Sequence, residues 1–476
     1  MNTAIVWLRR DLRLHDQPAF RCAAAHERLL PLYVHDPDGY AAHAGEASRW
    51  WLHHSLAALA GRLAEAGSRL HLDVGDSGTV LAGWAQAVGA VAIYTTYRAD
   101  PGDEAEIARV RQHLADQGFS LHAEADGLLT NPRTVRNRGG RPYRAFTPFW
   151  RNAAADLSPP TPQECPTLPP APESPPQSLS LPALGLLSPI PWHTKLHGTW
   201  QPGETEALHR LAGFLSEGIG CYATQRDLPA VAGTSRLSPS LHFGELSIRD
   251  LWHRLSRASA AQPEDEDGIA AFRSELGWRE FAYHLLAQEP ELHSRPFDRR
   301  FEAFPWRDDP HGTLLQAWRE GKTGIPLVDA GMRELWATGW MHNRTRMVTG
   351  SLLVKNLRLP WQWGEAFFRD TLVDWDPASN SMGWQWVTGC GADAAPYFRV
   401  FNPVRQAERF DPDGVYIARW VPELANLPPK HRHQPWSASA QALAQAGVTL
   451  GVTYPRPIID LQQSRKEALA AFQTLG

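Results

Sequence analysis

The sequence predicts an α/β N-terminal domain built on a parallel, Rossmann-like sheet, followed by an all-α C-terminal domain. Three observations carry that expectation. Short β-like apolar runs alternate with helical periods over the first 125 residues, which is the pattern of a parallel α/β sheet. Then 13 of the 39 prolines fall in the 44 residues 159–202, a composition that sustains neither helix nor central strand and favours extended chain. Beyond this stretch β-like alternation nearly vanishes and helical patterns dominate. At 476 residues the chain exceeds one ordinary core. The expected division is 1–130, a long connector over 131–202, and 203–476.

Taken in order, strands are expected at 4–8, 29–34, 70–74, 91–95 and 120–123. Between the second and third, Leu52, Leu56, Leu59 and Leu63 recur at helical steps and mark one face of a helix, which Gly67 ends. The turn after the first strand reads Arg9-Arg10-Asp11-Leu12-Arg13-Leu14-His15-Asp16. The Gly-x-Gly-x-x-Gly fingerprint is therefore missing, and a dinucleotide would sit elsewhere.

Composition narrows the class. The formal net charge of −4 does not nominate a nucleic-acid binder, so any groove facing phosphates must be built locally by the fold. The cysteines Cys22, Cys165, Cys221 and Cys390 form no Cys-x-x-Cys pair, which argues against a zinc ribbon or a disulfide framework and fits a reducing compartment. The first apolar run is short and meets Arg9 and Arg10, with no secretory core and no bilayer-spanning stretch. A cytoplasmic protein with no membrane partner is expected. Of 20 tryptophans, 11 lie between Trp278 and Trp420, so that region holds either a very aromatic core or an aromatic site.

Three segments of the second half carry candidate chemistry. In Thr234-Ser235-Arg236-Leu237-Ser238-Pro239, hydroxyl residues and a Ser-Pro step predict an N-cap with proline at the first helical position. Such an end, with hydroxyls and an arginine, suits a pyrophosphate, although an ordinary cap has the same letters. Glu275, Trp278 and Arg279 share one face of a helical stretch. The plain alternative is a boundary helix with Trp278 packed inward. The densest stretch is Gly339-Trp340-Met341-His342-Asn343-Arg344-Thr345-Arg346-Met347, followed by Asp374-Trp375-Asp376 and Asn380-Ser381-Met382-Gly383-Trp384-Gln385-Trp386. Charges in such apolar surroundings need partners, and Arg346 with Asp374 is one candidate pair. His342 has no second histidine or cysteine at ligand spacing, so no metal site is expected.

Taken together, these segments resemble the photolyase and cryptochrome family, specifically the bacterial class I cyclobutane dimer photolyases. The resemblance runs from the Trp7-to-Asp16 signature through Phe146-Thr147-Pro148-Phe149 and the Thr234-to-Ser238 segment. It continues to Gly383-Trp384-Gln385-Trp386 and Ala394-Ala395-Pro396-Tyr397-Phe398-Arg399. The resemblance implies an antenna domain followed by a helical FAD-binding domain, and light-driven repair of pyrimidine dimers in UV-damaged DNA by a monomer. It assigns Tyr222, Thr234, Ser235, Arg236, Leu237 and Ser238 to the ribityl and phosphate portion of FAD. Arg346, Asp374, Trp375 and Asp376 would surround the isoalloxazine, and Asn380 would face flavin N5. A neutral amide there can hydrogen-bond but has no acidic proton to give, which suits a reduced anionic flavin. Plant cryptochromes typically carry aspartate at that position.

For substrate, the resemblance makes Trp278 and Trp386 an apolar wall for a flipped-out dimer, a step the family shares. Base–aromatic stacking of about 1 to 3 kcal/mol per base gives the wall a physical basis. Glu275, Asn343 and Met347 match residues contacting the dimer or the flavin adenine. Arg226, Arg279, Arg344 and Gln406 would meet the DNA. Trp384, Trp361 and Trp306 match a tryptophan relay that carries electrons inward to an oxidised flavin, although each also reads as a core aromatic.

The nearest rival, a cryptochrome photoreceptor, commonly has a long C-terminal tail, whereas here a short helical run, 461–474, follows Pro455 and Pro457. Enzymes for (6-4) photoproducts place histidines where Met341 and Asn343 flank His342, and cryptochromes of the DASH type usually show tyrosine at the position of Trp386. A second, antenna chromophore is implied without its identity: deazaflavin, flavin or folate. The segment Tyr97-Arg98-Ala99-Asp100-Pro101-Gly102-Asp103-Glu104 lacks the Asn-Glu pair associated with folate.

Overall fold

The computed structural model describes residues 2–39, 43–394 and 398–475. All five expected strands form: β1 Thr3–Leu8, β2 Arg28–His35, β3 His71–Val74, β4 Ala90–Tyr97 and β5 Leu121–Ala125. They make one parallel sheet of order β3-β2-β1-β4-β5. The pleat of β1 sends Ala4, Val6 and Leu8 into one core and Ile5 and Trp7 into the other, as alternation on a two-sided sheet requires. Helices α1 Pro18–Ala23 and α2 Glu46–Glu65 cover the first face. Helices α3 Ser77–Val88 and α4 Pro101–Asp116 cover the second. Leu52, Leu56, Leu59 and Leu63 are buried on α2 as their spacing predicts.

The connector is less extended than its prolines imply. It contains helix α5 Phe146–Ala155 and 3-10 turns at Leu181–Leu184 and Pro191–Gly198. A 3-10 turn tolerates proline near its start because that N–H has no intrahelical partner anyway. The rest straps the sheet domain: Asp16 N donates to Gln163 O, Leu29 N to Pro170 O and Leu179 N to Leu72 O at 2.8 to 3.1 Å.

The turn that replaces the dinucleotide fingerprint forms a seam with the helical half. Leu12 N donates to Phe243 O at 3.1 Å. The Arg13 guanidinium donates to Gly244 O at 3.1 Å and pairs with Asp126 at 2.8 Å. Ser247 Oγ and Arg249 Nε both donate to Asp16. Gly244 lies at φ 65°, and an added Cβ would collide with the Arg10 carbonyl and the Asp11 backbone, so only glycine allows this approach.

The second half is helical. Its site-bearing elements are α6 Ser238–His242, α7 Glu266–Gln288, α8 Pro326–Thr338, α9 Asn343–Ser351, α10 Trp361–Thr371, α11 Pro377–Thr388, α12 Pro403–Phe410 and α13 Leu461–Gln473. Its largest core gathers Trp318, Trp361, Trp375 and Trp384 with aliphatic side chains of α8, α9 and the segments around them.

Candidate functional site

The loop between α10 and α11 is organised by two carboxylates. Asp374 receives Arg346 Nη2 at 2.9 and 3.0 Å and Ser238 Oγ at 2.7 Å, joining α6, α9 and the loop. Arg346 Nε is held in turn by Met341 O at 2.7 Å. The expected Arg346–Asp374 pair is thus present. Ser238 is not a cap: α6 has Leu237 at its N-cap with no side-chain cap bond, and Ser238 and Pro239 are its first two residues. Lying inside the helix rather than before it, Ser238 instead donates its hydroxyl proton to the Asp374 carboxylate, a charge-assisted bond.

Asp376 caps α11 through Ser379 N at 2.9 Å. Its second oxygen accepts Tyr283 Oη at 2.5 Å and faces His242 Nδ1 at 3.4 Å. Burial alone would raise this carboxyl; the hydrogen bond from His242, the charge of Arg279 and the Tyr283 hydroxyl bring it below the ordinary range. Burial lowers His242 to about 4. At neutral pH the pair is therefore an ionised Asp376 beside a neutral imidazole. His242 and Tyr283 were not singled out in the sequence; the one available signal was the Asp-Pro step of a helix start.

Asn380, one turn into α11, donates Nδ2 to Glu365 Oε1 at 2.9 Å and to Glu365 O at 3.3 Å. Both bonds go to α10, which leaves the amide oxygen as its remaining hydrogen-bonding group. Burial raises the Glu365 carboxyl. Trp375 is buried between these carboxylates and the seam, 6.4 Å from the His242 ring.

The pyrophosphate candidates lie before α6. Thr234 and Ser235 are half-buried, and Arg236 takes a left-handed φ of 51° and stacks over Trp340 at 4.8 Å. Tyr222 is buried edge-on to Phe214 and Phe272, and burial keeps its phenol protonated. On α7, both terminal nitrogens of Arg279 are buried without a hydrogen-bond acceptor among the described residues, Glu280 lying 3.5 Å from one of them. A buried guanidinium left short of acceptors is costly, and a phosphate anion or a flavin carbonyl would satisfy it. The hydroxyls and guanidinium before α6 fit the FAD phosphates by the chemistry of their donors, and Arg279 offers its two nitrogens to a further acceptor.

Matches to known families agree with this fit. Residues 4–170 match the family described as DNA photolyase, and residues 272–474 match the FAD binding domain of DNA photolyase. The chain belongs to the DNA photolyase family. It is 45% identical over 473 residues to a deoxyribodipyrimidine photo-lyase of Agrobacterium fabrum, covering 98% of this chain and 97% of that one. It is also 37% identical to Cryptochrome-1 of Arabidopsis thaliana, over 97% of this chain and 69% of that protein. Among solved structures, a bacterial class III photolyase from Agrobacterium tumefaciens superposes with a TM-score of 0.95 at 43% identity, covering 100% of this chain and 98% of that one. The class I assignment expected from the sequence gains no support from that neighbour.

Within the family frame, the lesion candidates sit as follows. Trp278, half-buried on α7, stacks on Phe146 of α5 at 3.8 Å and 10°. Trp386, half-buried on α11, lies 6.5 Å from Phe401. Glu275 pairs with Arg226 at 2.7 Å. Asn343 and Met347 stand one turn apart on α9, and Arg344 pairs with Asp227 at 2.7 Å. Gln406 is half-buried on α12, with its side-chain oxygen unpartnered among the described residues. Of the signature Ala394 to Arg399, residues Ala395, Pro396 and Tyr397 lie outside the described residues.

Of the relay candidates, Trp384 is boxed by Phe368 at 5.0 Å and Trp318 at 6.2 Å. Its ring lies against the backbone of Gly364, where any Cβ would overlap it. Gly364 is three residues from the buried Trp361, which brings the two indoles to one helix. Trp306 packs on the same core from its edge, 4.5 Å from Phe304. Finally, a cleft opens at the seam above the carboxyl ends of β1 and β2, bounded by Arg9, Arg10, Asp36 and Glu106 on one side and by His242 and Trp375 on the other.

Proposed function

We propose that this chain is a photolyase that binds FAD and splits cyclobutane pyrimidine dimers in DNA under blue light. The observation that carries the reading is Asn380, a neutral amide anchored by Glu365 among the Asp374–Arg346 and Asp376–His242 groups. FAD, which Tyr222, the Thr234–Ser238 segment, Arg346 and Asp374–Asp376 would hold, would supply the light-driven electron chemistry that opens the two C–C bonds of the dimer. The rest falls to the protein. Arg346 places a cation where anionic charge is to be held, and Asp374 keeps it aimed. Asn380 has no acidic proton to release, so the anion persists. Trp278 and Trp386 exclude water from the flipped bases and stack on them. Glu275 accepts from a base N–H after Arg226 turns to the phosphate strand, with Arg279, Arg344, Gln406, Asn343 and Met347 completing the contacts. Trp384, Trp361 and Trp306 carry electrons inward.

The seam cleft is the place for an antenna chromophore, since it opens at the carboxyl ends of parallel strands, the side on which open α/β sheets bind ligands. Its cationic and anionic walls suit a polar ring system. We further read the chain as a cytoplasmic monomer of three parts, 1–130, 131–202 and 203–476; no described helix is long and apolar enough to cross a membrane.

The test is dimer loss from a short DNA strand carrying one cyclobutane thymine dimer, mixed with reduced protein in blue light and in darkness. Light-dependent restoration of the two thymines is the expected result. Binding without restoration, with FAD bound and reduced, would refute repair and favour the photoreceptor role suggested by the likeness to Cryptochrome-1.

A further inference from the structure

Arg98 follows the last residue of β4 and is buried at 3% exposure, yet its guanidinium has no ion-pair partner among the described residues. A desolvated charge without a carboxylate is costly unless hydrogen bonds replace its water. Here the other half of the molecule supplies them. Arg98 Nη2 donates to Leu241 O at 2.8 Å and to His242 O, and more distantly to Arg10 O at 3.4 Å. Leu241 and His242 end α6, and the last carbonyls of a helix have no intrahelical partner and carry the negative end of its dipole. Nη1 donates to the Tyr283 hydroxyl of α7 at 3.3 Å.

The local backbone is shaped for this reach. Asp103 Oδ2 accepts Arg98 N and fixes the residue at its root. Gly127, at φ 76°, lies against the side chain, where an added Cβ would come within 2.6 Å of Nε. A larger residue there would push the guanidinium off its course.

Behind Tyr283 stands Asp376. The Tyr283 hydroxyl accepts from Arg98 and donates to Asp376 Oδ2 at 2.5 Å, and burial pushes the phenol up, so it keeps its proton. The same carboxylate oxygen faces His242 Nδ1 at 3.4 Å. Both groups that back Asp376 are therefore held by one guanidinium: Tyr283 by its hydroxyl, His242 by its carbonyl. A hydroxyl that accepts from a cation donates more strongly, because successive hydrogen bonds polarise one another. The other Asp376 oxygen caps α11 at Ser379 N, one residue before Asn380.

We infer that Arg98 is a positioning residue of the FAD site: acting through Tyr283, it fixes Asp376 and with it the start of the helix that carries Asn380. The inference rests on the FAD site proposed above. It brings a residue of the sheet half into that site and gives the seam a task beyond joining two domains.

Redox titration of FAD bound to the full chain tests it, in the parent, Y283F, R98M and the R98M/Y283F double variant. With Asp376 less well held and its charge less offset, anionic reduced FAD is disfavoured. At a fixed potential the ratio of reduced to oxidised FAD is expected to fall in each single variant by up to about tenfold, which is about 30 mV for a two-electron couple. Tyr283→Phe should have a smaller effect in the R98M background than in the parent, because the two residues act in series. Potentials equal to the parent's in both single variants would overturn the inference, and a loss of urea stability alone would then mark Arg98 as a seam residue only. Fully additive effects would also overturn it, since they would mean that the charge acts through space and not through the hydroxyl. Should R98M fail to fold, Gly127→Ala, which crowds Nε and leaves every charge in place, takes its position in the cycle with the same expectation. A parent that binds no FAD would refute the FAD site itself; a parent that binds it, with variants unchanged in potential, removes Arg98 alone.

Discussion

Replacing Gly364 by alanine tests the packing that brings Trp384 to the helix of Trp361. The added Cβ falls against the outer edge of the six-membered ring of Trp384, in steric overlap with Cη2, Cζ3 and Cζ2. The ring has little room to retreat, because Phe368 and Trp318 meet it edge-on and a Cβ built on Gly350 would sit 3.6 Å from Cζ3 on another side. Two effects compete. Alanine in place of glycine inside a helix gains about 1 kcal/mol, while forcing an extra carbon into a packed core costs about 1 to 3 kcal/mol. Overlap with three ring carbons places the packing cost at the upper end, so the net expectation is a loss of about 2 kcal/mol, read from the shift of a urea unfolding curve. Gly383→Ala is the control: nothing lies within 4 Å of its added Cβ, so that variant should gain stability. A displaced Trp384 should also slow photoreduction of oxidised FAD, followed by absorbance under blue light. A G364A protein as stable as its parent, with unchanged photoreduction, would refute both the packing argument and the relay's dependence on it.

Further expectations concern the pocket, the relay and pH. Glu275→Ala should lower repair yield or dimer affinity with FAD retained, as measured by flavin absorbance; loss of FAD would put Glu275 in a different part of the site. Trp306→Phe should block photoreduction yet spare repair by chemically reduced protein, and unchanged photoreduction would remove Trp306 from the relay. Burial lowers His342 to about 4 from an ordinary 6.5, so the unfolded chain takes up this proton first. The stability it contributes is full above pH 6.5 and is lost as pH falls toward 4. His342→Asn keeps a capping side chain for α9, and between those limits it should flatten the fall in unfolding free energy by about 1.4 kcal/mol per pH unit. Parallel slopes in parent and variant would show that His342 is not held neutral.

Much of the sheet domain was legible because its information is local. Alternation of side chains along β1 and the leucine steps of α2 are dictated by the element that contains them. The Arg346–Asp374 pair was also within reach, since few cations and acids share that apolar stretch. Ser238 shows the limit: its letters suit a cap, but its partner lies 136 residues away. Distance along the chain likewise hid His242 and Tyr283 behind Asp376, and tertiary packing hid Glu365 behind Asn380, because a contact fixed that way leaves no periodic trace. Prolines in the connector were read correctly as breakers of regular helix, yet 3-10 turns accept them. Arg98 was hidden in the same way, since only the packed seam brings a guanidinium of the sheet half to Tyr283.

The seam has a thermodynamic consequence. Arg13 is buried at 1% exposure between Asp126 of the sheet half and Gly244 of the helical half, so separating the halves exposes a desolvated ion pair along with the apolar faces behind it. The sheet domain and the helical domain should therefore melt as one cooperative unit. FAD, which favours only the folded state, would then protect amides in β1 from hydrogen exchange about as well as amides in α11. A cofactor held at one end of the molecule becomes a stabiliser of the other.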